Sequence, residues 1–71
     1  MSIDFHPTEV WSLVTRDGRR VRAMLFPRGL EVTLVWFVND HPAGSEDLED
    51  WDEAMLRAGD LRATFENGLP A

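Results

Sequence analysis

The side chains able to do chemistry in this chain are few, and their spacing gives them little to work with. There are two histidines: Asp4 stands two residues before His6, and Asp40 stands directly before His41. A bound metal needs several His, Cys or carboxylate ligands at set spacing, and neither pair supplies enough. Both sit next to a proline, Pro7 or Pro42, in stretches that read as terminus and loop. Nucleophilic catalysis would need Ser2, Ser12 or Ser45 to meet one of the histidines, and no Gly-x-Ser-x-Gly turn is present to present such a serine. The chain has no glycine-rich phosphate loop, lysine, tyrosine or cysteine. A core built from 71 residues also leaves little room for a dry pocket in which pKa values are tuned. The sequence therefore predicts no catalytic residue, no metal site, no cofactor and no small-molecule substrate. The expected work is binding.

Charge gives the first hint of where. Residues 1–30 hold five arginines against three acids, and residues 31–71 hold two arginines against ten acids, so the net charge of −6 divides into +2 and −8. Six of the eight residues from Glu46 to Glu53 are acidic: Glu46, Asp47, Glu49, Asp50, Asp52 and Glu53. The run lacks the alternating Asp/Asn ligands and central glycine of an EF-hand loop. Acids at the start of a helix are stabilised by the helix dipole and are commonly just a solvated face. The functional alternative is an acidic patch that docks on a basic protein, or that imitates a phosphate track and blocks a nucleic-acid-handling protein.

The elements that would position these residues are legible from periodicity. Glu9–Thr15 and Arg19–Phe26 are rich in β-formers, and Asp17-Gly18 between them is a hairpin signal. Pro27-Arg28-Gly29-Leu30 is turn chemistry, and Glu31–Asn39 is an almost unbroken β-branched and aromatic run. Asp40-His41-Pro42-Ala43-Gly44 breaks the pattern. Leu48, Trp51, Met55, Ala58, Leu61 and Phe65 then recur at steps of three and four, the spacing of one helix face. Two starts fit that helix: Ser45 as N-cap, or Asp50 as N-cap with Glu53 three residues on. Under the second, Ser45–Glu49 becomes a short edge strand. Asn67-Gly68 supplies the stop. The expectation is a single α+β domain over residues 1–71: a three-stranded antiparallel meander, with room for a short fourth strand, and one C-terminal amphipathic helix packed on one face, in the order βββα.

Register decides which side chains a partner would meet, because a slip of one residue exchanges the faces. A two-residue Asp17-Gly18 turn would pair Thr15 with Arg20 and mix arginines with Trp11 and Leu13. A three-residue loop with Gly18 in the left-handed bulge position pairs Leu13 with Val21 and Trp11 with Ala23. The second arrangement gathers Trp11, Leu13, Val21, Ala23, Leu25, Val32, Leu34, Trp36 and Val38 on one wholly apolar face. Burying each large side chain is worth on the order of 1.5–3 kcal/mol, more than a modest difference in turn energy. That face is the predicted core. Val10, Ser12, Val14, Arg20, Arg22, Met24, Phe26, Glu31, Thr33, Val35 and Phe37 fall on the other.

A lone helix covers one side of a sheet, so the second side meets solvent or a partner. Aromatics, Met and Arg are the residues enriched in protein interfaces. Arg20, Arg22, Met24, Phe26, Val35 and Phe37 are therefore the candidate protein-binding residues, the partner being another protein or a second copy of the chain. The same arginines and phenylalanines follow the stacking logic of sheet-based RNA readers, but the dense negative charge of the C-terminal half opposes phosphates across so small a body. Direct nucleic-acid binding is not expected. Nor is a membrane: no apolar run approaches the roughly 18 residues needed to span one. The N-terminus lacks the basic start and apolar stretch of a signal peptide, so the expected location is the cytoplasm.

Trp11-Ser12-Leu13, Gly18-Arg19-Arg20-Val21-Arg22-Ala23 and Asp50-Trp51-Asp52-Glu53-Ala54 resemble stretches in a group of short bacterial proteins with no assigned activity. The resemblance implies a small antiparallel sheet followed by a C-terminal helix. In size, acidity and lack of cysteine the chain also looks like phage- or plasmid-borne inhibitors.

Overall fold

The computed structural model describes residues 7–67. Four antiparallel strands, β1 (Thr8–Val14), β2 (Arg20–Arg28), β3 (Glu31–Val38) and β4 (His41–Leu48), lie side by side in chain order. One helix follows, α1 (Trp51–Glu66). The fold is α+β. The fourth strand is a full eight residues rather than a short segment beginning at Ser45, so the order is ββββα.

The turns explain the register. Gly18 has φ +87°, Gly18 N–H donates to the Thr15 carbonyl and Thr15 N–H to that of Arg19, which closes a three-residue loop. Leu13 accordingly pairs with Val21 and Trp11 with Ala23. Gly29 and Leu30 form the next turn between paired Arg28 and Glu31, with Gly29 at φ +63°. At the third, Asn39 and Asp40 both take positive φ, 52° and 69°, the conformation of a type I′ hairpin turn. Asn and Asp are among the few non-glycine residues that tolerate it. Pro42 fits β4 because its nitrogen faces away from β3: Val38 and His41 flank the turn as a hydrogen-bonded pair, and the next pair, Phe37 and Pro42, is not one.

The helix lies over one face only. Trp11, Val21, Ala23, Leu25, Val32, Leu34 and Leu48 from the strands meet Ala54, Ala58 and Phe65 from α1, with Leu13, Trp36, Val38 and Leu61 packed around them. The helical stripe differs from the expected one. Its buried positions are 54, 58 and 65, flanked by Leu61, whereas Trp51 (41% exposed) and Met55 (44% exposed) lie outside it. Leu48 belongs to β4. The cause is side-chain size: alanines at 54 and 58 let the helix settle closely on the sheet, and the larger Trp51 and Met55 are turned to its flank. Val10 also departs from expectation. The register shifts between Glu9 and Trp11, and this bulge moves Val10 from the outer face to the edge of the core.

No helix among the described residues is long and apolar enough to cross a membrane.

Candidate functional site

The side of the sheet turned away from α1 carries the candidate residues, and their arrangement follows from the strand order. β2 and β3 are the inner strands, and the large apolar outward residues lie on them: Met24 pairs with Val35, Phe26 with Thr33 and Phe37 with Arg22, while Arg20 and Arg28 of β2 and Glu31 of β3 stand at the two ends. The outward residues of the edge strands are mostly small or polar. On β1 these are Glu9 and Ser12, with the exposed Val14 at the end; on β4, Pro42, Ser45 and Asp47. An apolar strip thus runs down the middle of the face inside a polar rim. Met24, Phe26, Val35 and Phe37 are each half-buried by their sheet neighbours, and no described element crosses them.

The rim is made of ion pairs. Arg20 Nη2 lies 2.8 Å from Asp40 Oδ2, and Arg22 reaches Glu9 Oε1 at 3.6 Å and Asp40 Oδ1 at 3.9 Å. Arg22 also lies over the Phe37 ring, 5.7 Å from its centroid. Its Nε is shielded from solvent with no hydrogen-bond partner among the described residues. At the other end Thr33 Oγ1 donates to Asp47 Oδ1 at 2.8 Å, and Arg28 approaches the same carboxylate at 3.7 Å. These pairs are largely exposed and each contributes little stability. Their effect is geometric, since they hold the long arginine side chains in place at the two ends of the strip, where Arg22 lies across Phe37. The six sequence-predicted residues therefore do come together: Arg20 and Arg22 at one end, then Phe37, Met24, Val35 and Phe26 along the strip.

No family model, curated protein or solved structure matches this chain.

The six acids do not form one surface. Glu46 and Asp47 are consecutive residues of β4 and point to opposite faces. Glu46 is bound to α1, where Arg57 Nη2 lies 3.0 Å away; Asp47 belongs to the outer rim. The pairing with Glu46 holds the Arg57 guanidinium above its ordinary pKa. Asp50 is the N-cap, accepting from Glu53 N–H at 2.8 Å, with Asp52 and Glu53 in the first turn. Of the two helix starts the sequence allows, the one at Asp50 is adopted.

Two exposed apolar features went unread in the sequence. Leu30, 93% exposed, projects from the β2–β3 turn, and Leu56, 73% exposed, from the outer side of α1. Leu56 breaks the helical spacing, which is the signal that would have singled it out.

Proposed function

We propose that this protein is a non-enzymatic protein-binding module whose contact surface is the outer face of the sheet, centred on Met24, Phe26, Val35 and Phe37 and bordered by Arg20 and Arg22. The observation that carries the reading is the grouping of Met24, Phe26, Val35 and Phe37 on the two inner strands, with ion-paired arginines of β2 at the two ends of the group and mostly small or polar side chains on the edge strands. That is the pattern of an interface with an apolar centre and a hydrated rim. The face supports contact with a second copy as well as with another protein. Its arginines are each neutralised by a neighbouring acid, so two such faces can meet without facing uncompensated like charges.

Phe37→Glu tests it. The side chain is on the face opposite the helix, so circular dichroism and cooperative melting are retained. The wild-type chain, tagged and measured for molar mass and for retained partners, forms a dimer or holds a partner that the variant loses. An unchanged mass and partner set overturns the reading, and so does a variant that fails to fold, since Phe37 would then be core.

A further inference from the structure

The sheet has two outer edges of unequal character. On β4 the edge is blunted: Pro42 has no N–H, the register shifts beside it, and Glu46 and Asp47 charge the remainder. Proline, bulges and charges are the devices by which edge strands resist further pairing. β1 carries none of them from Trp11 to Val14, where Trp-Ser-Leu-Val runs in regular register with no charge and no proline. Thr15 N–H donates to the Arg19 carbonyl at 2.9 Å, which makes that pair a hydrogen-bonded one. By antiparallel alternation Leu13 and Trp11 bond to β2, and the N–H and C=O groups of Ser12 and Val14 point out of the sheet. Among the described residues no strand lies beyond them.

Clefts flank this edge on both sides. On the helix side the cleft is lined by Leu13 and by Phe65 near the C-terminal end of α1, with Arg16 and Arg19 among the lining and the acids Asp17 and Glu66 beside them. On the outer side the cleft is lined by Ser12, Val14, Arg20 and Asp40 among others. Successive side chains of an added strand would point alternately into the two. Arg16 is distinctive as well. Alone among the seven arginines it pairs with no acid among the described residues.

We propose that the β1 edge accepts an extended segment of a partner protein as a fifth antiparallel strand, with an apolar side chain opposite Leu13 and an acidic one opposite Thr15, beside Arg16. Main-chain hydrogen bonds to Ser12 and Val14 supply affinity, and the flanking clefts supply selection. The outer cleft shares Arg20 and Arg22 with the border of the strip on β2 and β3, but the main-chain edge of β1 and the apolar strip are separate, so the amides of Ser12 and Val14 set against those of Met24 and Phe37 tell the two proposals apart.

The test is a titration of the isotope-labelled full chain with an acetylated, amidated heptapeptide, Thr-Glu-Thr-Leu-Thr-Val-Thr, followed by NMR. The amide signals of Ser12 and Val14 shift and their hydrogen exchange slows about tenfold at saturation, while those of Met24 and Phe37 move less. Arg16→Glu, an exposed position in the hairpin loop, weakens binding about tenfold. Changing the peptide glutamate to lysine does the same from the ligand side. Proline at the fifth peptide position, opposite Ser12, abolishes binding. Three results overturn the proposal: no shift at Ser12 and Val14, shifts centred on Met24 and Phe37 instead, or Ser12 and Val14 amides already protected in the free chain, which would mean that its own termini or a second copy occupy the edge.

Discussion

The indole N–H of Trp11 donates to the carbonyl oxygen of Ala58 at 2.8 Å, tying the edge strand β1 to the middle of α1 across 47 positions of sequence. The contact is possible because Ala58 has no bulk beyond Cβ, so the helix backbone comes within reach of the sheet. The same indole packs at a tilt against Phe65, with ring centroids 6.3 Å apart. Trp11→Phe keeps an aromatic ring in the core but removes the donor and part of the volume. The expected loss is about 2 kcal/mol from the bond and the vacated space together. In a domain of this size that lowers the melting temperature by roughly 10 °C, read by thermal denaturation.

Two glycines should respond to alanine with opposite sign. Gly59 lies on the exposed side of α1, and a Cβ there meets nothing within 4 Å. Gly59→Ala stabilises by about 1 kcal/mol through helix propensity alone. Gly44 is opposite Trp36, and a Cβ there would lie 2.7 Å from the indole Cε2. Gly44→Ala forces the ring aside and costs about 1–3 kcal/mol. Chemical denaturation of both variants in parallel settles the pair, and equal effects would contradict the packing described.

How far the sequence exposes this fold depends on the element. β1, β2 and β3 are legible because their composition is β-branched and aromatic and because only one loop length segregates polar from apolar residues. Gly18 identifies that loop. β4 is poorly legible for the opposite reason: His-Pro-Ala-Gly-Ser-Glu-Asp has weak strand preference, and it becomes a strand through pairing with β3 after the Asn39-Asp40 turn. The helix is legible as a period, but a period drawn through large side chains favours Trp51 and Met55 over the small Ala54 that is buried. The candidate strip was legible because face assignment follows from register. The unpaired β1 edge was not, since β1 is marked as a bare edge only once strand order is known.

The hairpin loop carries a pH signature. Asp17 has its carboxyl held below the ordinary value of 3.8, first by the Thr15 hydroxyl that donates to it and then by Arg19, whose Nε lies 3.0 Å away. A carboxyl lowered on folding contributes stability that is present above the unfolded value and lost as pH falls through the folded one. The window is therefore below pH 3.8. Thr15→Val removes the hydroxyl and should move the Asp17 titration up toward 3.8, followed by its carboxyl chemical shift against pH. A titration that does not move would mean that Arg19 alone sets the value.

The acidic run divides by task, and single substitutions should expose the division. Asp50 caps α1 through Glu53 N–H, so Asp50→Ala leaves a helix donor without its partner and costs about 1 kcal/mol. Glu46 meets Arg57 across the sheet–helix boundary, with both side chains more than a third exposed, so Glu46→Gln costs less than about 1 kcal/mol, and less still at high salt. Glu49 makes no ion pair among the described residues, and Glu49→Gln should leave the melting temperature almost unchanged. Melting curves at low and high salt distinguish the three. A uniform response across Asp50, Glu46 and Glu49 would mean that the run acts as one field of negative charge, and the separate assignments to cap, ion pair and solvent would have to be abandoned.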